Sequence, residues 1–232
     1  MQIKDIYNYL NDLSPFELQE KWDNSGLIVG NMEDKFENIY ISLDLDLEMI
    51  ENIEPKSLII THHPLIFSPI KTVNDDRYAT KLLKILIKKD IALISMHTNI
   101  DKTHLNSYVG NDILGLNFEK SDDFVLTTKV DMSFEELQEY IKKKLGITTL
   151  KVTDSTKKIK TLSLTTGSGM SLLPYIKTDC FLTGDIKYHE AMEAKALGIS
   201  LIDIGHFESE IHFCTLLEGL IQDYLKKIIK QL

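Results

Sequence analysis

Short apolar runs rich in leucine and β-branched residues alternate along the chain with longer stretches whose apolar positions recur every three or four residues. Ile3, Ile6, Tyr7 and Leu10 give residues 3–12 helical spacing, and Leu13-Ser14-Pro15 punctuates its end. Strands are predicted over 26–30, 38–44, 57–61 and 91–95. A short helix is predicted over 46–53, a loop over 64–75 and an amphipathic helix over 76–89, with Leu82, Leu83, Leu86 and Ile87 inward. A helix over 103–114 closes this block. A second block reads as strand 123–130, helix 133–144, strands 149–153 and 159–165, helix 169–177, strand 179–183, helix 186–197 and strand 199–204. A helix over 206–229 ends it. Ser133 with Glu136 three residues later has capping-box spacing. Ser57-Leu-Ile-Ile-Thr61 is continuous rather than alternating, as in a sheet covered on both faces.

This strand–helix alternation implies an α/β fold with helices on the faces of its sheets. The two halves look like similar βα blocks. No Gly/Ser/Pro linker divides them, so two interlocked lobes are expected rather than beads on a string.

Composition narrows the function class. Hydrophobic residues make up 43% and charged residues 26% of the 232, which excludes a disordered or collagen-like chain. Lys+Arg 26 against Asp+Glu 35 leaves a net charge of −9. Such a chain has no generic attraction for phosphate backbones, which argues against a duplex nucleic acid partner and leaves a local basic pocket open. No apolar run approaches the ~18 residues of a membrane span. Met1-Gln2-Ile3-Lys4-Asp5 opens no signal peptide, so a cytoplasmic protein is expected. The two cysteines, Cys180 and Cys214, cannot build a disulfide framework and read as small core residues.

Candidate chemistry lies in three clusters at predicted strand ends: His62-His63, His97-Thr98-Asn99-Ile100-Asp101, and His206-Phe207-Glu208-Ser209-Glu210. Ligands of open α/β sheets bind beyond the carboxyl ends of the strands. Adjacent histidines on a regular strand point to opposite faces. Just past it, with Pro64 ending the ladder, both could turn into one site; the alternative is one buried and one exposed ring. Asp101 is either a ligand or the N-cap of the 103–114 helix. His97 could be a ligand, a support for a ligand, or a general acid/base, and support is the preferred reading. His206 and Glu210, four apart, project from one helix face and suit one metal; the alternative is a helix-start histidine with a solvent glutamate. Glu208 and His212 leave that face, and His104 and His189 have no comparable setting.

Three imidazoles and two carboxylates suit Zn, Mn, Fe, Co or Ni. They exceed the needs of one open catalytic ion. Two ions roughly 3.5–4 Å apart, with a bridging carboxylate, would use all five and leave room for a nucleophilic water.

Two weaker signals accompany these. Thr166-Gly167-Ser168-Gly169 between a strand and a helix could hold an anion on its N–H groups, or be only a tight turn. Thr183-Gly184-Asp185, with Lys187-Tyr188-His189-Glu190, could face a substrate, or Asp185 could cap a helix. Trp22, in the polar stretch Trp22-Asp23-Asn24-Ser25-Gly26, reads as a packing anchor.

At these residues the sequence resembles the GTP cyclohydrolase I type 2 homologue family, also called the NIF-three-like family. The matching stretches are Trp22–Gly30, Ser42–Asp44, Thr61–Phe67, His97–Asp101, Thr166–Gly169, Thr183–Glu190 and Asp203–Glu210, in family order over nearly the whole chain. The resemblance implies two related, interlocked α/β lobes with a pair of divalent metals in the cleft between them. It makes His62, His63, Asp101, His206 and Glu210 the metal ligands. The first lobe would be 1–115 with 206–232 and the second 116–205. The resemblance also implies a toroidal homohexamer and a GTP cyclohydrolase-type activity. Phe207 departs from the family, which often has Tyr there.

Three readings of function follow. The first is a dinuclear-metal hydrolase acting on a small-molecule partner such as a nucleotide, with His97 shuttling protons or orienting a ligand. The second is a non-catalytic metal-binding or adaptor protein. The third is a purely structural metal site.

Overall fold

The structure is a computed structural model that describes residues 1–229, with side chains through 226. Residues 230–232 of the expected first lobe lie outside the described residues. The chain forms two compact units, one of residues 1–100 with the helix from Phe213 onward, the other of Asp101–His212.

The first unit holds a four-stranded sheet in the order β1 (Gly26–Val29), β4 (Ala92–Ser95), β3 (Ser57–Thr61), β2 (Asn38–Ser42). β2, β3 and β4 are parallel, and β1 runs antiparallel to β4. β3 is buried at all five positions and β4 at all four, as the unbroken apolar run of β3 requires. α1 (Ile3–Leu13) buries Ile3, Ile6 and Leu10. α2 (Leu47–Asn52) is capped by Asp46, whose carboxylate accepts from the Met49 N–H. It packs with α3 (Tyr78–Lys89) on the sheet through Ile50, Ile59, Leu82, Leu86 and Leu93. The inward stripe of α3 is narrower than its pattern suggested. Leu82 and Leu86 are buried and Leu83 is half-buried, but Ile87 is 63% exposed because the contact line follows the 82–86 step.

The second unit holds a six-stranded sheet in the order β5 (Glu119–Lys120), β6 (Leu126–Ser133), β8 (Lys158–Leu164), β9 (Cys180–Thr183), β10 (Ser200–Asp203), β7 (Lys151–Thr153). β8, β9 and β10 are parallel; the flanking strands are antiparallel. The predicted capping box of α5 (Phe134–Leu145) is present in both its hydrogen bonds. Met170, Leu173, Phe181, Ala194 and Leu201 form the core between the sheet, the 3₁₀ turn Met170–Tyr175 and α6 (Tyr188–Ala196). Proline at 174 keeps that turn from extending into the helix expected over 169–177. Cys180 is fully buried, and burial pushes its thiol well above the ordinary range; Cys214 is only half-buried.

The expected 103–114 helix begins earlier. α4 (Thr98–Ile100) runs into π-helical turns over Asp101–Leu105 and Tyr108–Ile113. Asp101 is therefore inside a helical run rather than ahead of its first turn. The expected 206–229 helix is broken at Ile211 into α7 (His206–Glu210) and α8 (His212–Ile229).

Candidate metal centre

Parallel pairing places the candidate residues. In the first unit Ser42, Thr61 and Ser95 are aligned, so β2, β3 and β4 end at one sheet edge. The chains leaving them bring Asp44, His62-His63 and Met96-His97 to that edge. The N–H groups of His62 and His63 still bond the carbonyls of Ser42 and Leu43 at 3.2 and 3.1 Å. Their rings nonetheless lie together, with centroids 5.0 Å apart. The His97 ring sits 5.1 Å from His62 and 5.4 Å from His63. One donor atom from each of the three lies within 4.8 Å of the others.

Each ring is fixed through Nδ1. His62 Nδ1 donates to the Met96 carbonyl at 2.8 Å, which settles its tautomer, and the side chain is fully buried. His63 Nδ1 meets Asp44 Oδ1 at 3.0 Å, and His97 Nδ1 meets Asp23 Oδ1 at 2.8 Å. The Asp23 side chain is itself fully buried. Burial alone would raise its pKa. Hydrogen bonding and charge from His97, with further bonds from Thr98 and Asn24, outweigh that and hold the carboxyl well below the usual carboxylate range.

In the second unit the parallel pair β9–β10 aligns Thr183 with Asp203. The segments that follow bring Asp185 and His206 into a 2.6 Å contact, Asp185 Oδ2 to His206 Nδ1. Asp185 has φ 57° and does not cap α6, whose N-cap is Lys187; the capping reading of Asp185 is thereby corrected. His206 Nε2 lies 3.0 Å from Glu210 Oε2, one helical turn on, as their spacing predicted. Glu210 is buried, and its carboxylate comes within 4.8 Å of that of Asp101. The hydrogen bond that His206 donates to Glu210 acts against burial and, with the charges of Glu210 and Asp185, raises His206 to about 9.

The Thr166–Gly169 loop is not an anion cradle. The N–H groups of Thr166, Gly167 and Gly169 are spent on Asn106, Ser209 and Thr183 side chains at 2.7, 3.0 and 2.8 Å. Its role is close approach: a Cβ on Gly167 would lie 2.0 Å from Glu210 Oε1. An open cavity of about 880 Å³ in this unit is lined by Lys151, Asp185, Asp203, His206 and His212, among others.

The imidazole partners Asp23, Asp44 and Asp185 were not picked out as such from the sequence. The signal was an aspartate at or just beyond a strand end for Asp44 and Asp185, and one in the polar loop before a strand for Asp23, which turn preference explains equally well. Glu208 is exposed, and burial lowers the pKa of half-buried His212. The His104 ring bonds its neighbour Thr103, and His189 is exposed beside Tyr188.

No helix among the described residues is long and apolar enough to cross a membrane. The profile of the family DUF34/NIF3 (NGG1p interacting factor 3) matches residues 1–231. A GTP cyclohydrolase 1 type 2 homolog of Campylobacter jejuni is 48% identical over 214 residues, covering 92% of this chain and 89% of that one. A Helicobacter pylori protein named GTP cyclohydrolase 1 type 2 is 44% identical over 224 residues, covering 96% and 92%. Among solved structures, a Staphylococcus aureus protein described as hypothetical superimposes with TM-score 0.83 at 26% identity, covering 97% and 93%. Reduced HcgD from Methanocaldococcus jannaschii gives 0.78 at 28%, covering 100% and 95%. With the profile spanning nearly every residue and relatives near half identity, this chain belongs to the DUF34/NIF3 family.

Proposed function

We propose that the protein is a metal-dependent hydrolase of small molecules in the nucleotide class, in which His62, His63, Asp101, His206 and Glu210 together hold two divalent ions. The supporting observation is the shared setting of the imidazoles. His62, His63 and His206 each engage an oxygen acceptor through Nδ1, the usual arrangement around metal-ligating histidine. The mixed N/O donor set fits Zn, Mn, Fe, Co or Ni and contains no cysteine. When bound, such ions would polarise an electrophilic carbon or phosphorus and lower the pKa of an attacking water.

The chain's own residues have separate tasks in this reading. Asp44 and Asp185 orient the rings of His63 and His206. His97, held by the ionised Asp23, moves a proton to or from the reacting group through Nε2. The cavity beside His206 is within the ordinary size range of ligand pockets. The names of the Campylobacter and Helicobacter relatives make GTP the first substrate to assay. Homohexameric assembly, which rests on the resemblance, and a cytoplasmic location complete the proposal.

Elemental analysis of the purified protein is the first test, with two ions per chain expected. His62→Ala and Glu210→Ala, one donor from each unit, should both lose metal. Turnover of a nucleotide panel with metal present is the second. Failure to retain any divalent ion, or no turnover at high enzyme concentration beside a working control, would overturn the proposal. The family description as an interacting factor favours an adaptor as the alternative. That alternative predicts partner capture surviving His62→Ala or Asp101→Ala.

A further inference from the structure

Two large aromatic side chains stand in water beside the three-imidazole cluster of the first unit. Trp22 is 56% exposed and Phe67 is 53% exposed. Their centroids are 5.6 Å apart at 50°, and each presents an edge arrangement to His97, at 6.0 and 6.4 Å. Their positions are built. Asn24 Nδ2 donates to the Ile66 carbonyl at 2.6 Å, tying the loop of Trp22 to that of Phe67, and Asp23 next to Trp22 is buried against His97 and Thr98. The sequence reading of Trp22 as a packing anchor is therefore corrected, because more than half of the residue is exposed.

We infer that Trp22 and Phe67 form a stacking platform for the planar heteroaromatic ring of a small-molecule ligand, beside His97. The inference rests on the small-molecule reading above and names the part of the ligand that is recognised. The aromatic patch by itself is far smaller than a stable protein interface. Two aromatic side chains at half exposure offer roughly 200 Å², against about 800 Å² per partner in a standard interface. Lys21, Asn24 and Ser68 around them are exposed and polar. At 5.6 Å the two rings are too close to admit a third between them, so the ligand ring lies on their outer surface. Stacking of this kind tolerates any base, because each has a π-face.

Trp22 is the single tryptophan and reports on its own site. The full-length protein would be titrated with GTP, ATP and tripolyphosphate while its fluorescence is recorded. GTP and ATP should quench saturably and tripolyphosphate should not. Phe67→Ala, and Trp22→Leu followed by calorimetry, should weaken GTP binding roughly tenfold or more with the melting temperature unchanged. Tripolyphosphate binding as tightly as GTP, or unaltered affinity in both variants, would overturn the inference. So would a fluorescence change driven by protein concentration alone, which would mark a contact between copies. Nucleotide binding without turnover keeps the platform and removes the hydrolase reading. Turnover with unchanged KM in both variants does the reverse.

Discussion

Gly167→Ala tests the ligand set proposed for the second unit while replacing none of its members. Gly167 has φ +63°, and a methyl group there would lie 2.0 Å from Glu210 Oε1 and 3.0 Å from its Cδ. Ordinary van der Waals contact begins at 3.4 Å, so the carboxylate must withdraw by about 1.4 Å. Metal–ligand distances tolerate about 0.2 Å. The variant should therefore lose at least one ion per chain. The left-handed backbone adds about 1–2 kcal/mol of strain, which for a chain of this length lowers Tm by about 2–8 °C. Gly146→Ala separates the two effects. Gly146 has φ +69° with nothing within 4 Å, so it carries the backbone cost without the clash. The assay is elemental analysis after dialysis against metal-free buffer, with melting curves alongside. Full metal content in Gly167→Ala, or equal metal loss in Gly146→Ala, would refute the reasoning.

Three further outcomes are expected. Asp23→Asn removes the charge that orients His97 and should lower activity about 10–100-fold and displace a limb of the kcat/KM pH profile; an unchanged rate and profile would deny His97 its proton role. Asp179 accepts three hydrogen bonds of 2.9 Å from Lys160 and Thr161, and although burial opposes them they hold its carboxyl below the usual range. Its contribution is present above the ordinary carboxylate pKa and lost as pH falls below it. Asp179→Ala should thus cost about 2 kcal/mol in urea unfolding at pH 7, with the gap closing in acid. His206, raised to about 9 by Glu210 and Asp185, stabilises the metal-free fold fully below the ordinary histidine range and loses that contribution as pH rises through about 9. A divalent ion must displace this proton at neutral pH. Mn²⁺ affinity should therefore weaken as pH falls from 9 to 7, with proton release visible in calorimetry across buffers of different ionisation enthalpy.

The order of strands and helices was legible in the sequence because local periodicity determines it. The buried run of β3, the capping box of Ser133 and the four-residue step from His206 to Glu210 each depend on neighbours within one element. The sequence also placed the histidines at strand ends, where parallel sheets gather their functional groups. What it could not fix were relations across the fold. Asp23 reaches His97 over 74 positions, Asp44 reaches His63 over 19 and Asp185 reaches His206 over 21. Those pairs exist because β1 lies against β4, β2 against β3 and β9 against β10, with their ends in register. Strand order and register come from burying whole sheet faces, a sum over many residues. The tertiary structure alone decided which aspartate would hold which ring, that Asp101 would sit within a helix, and that Trp22 would face water.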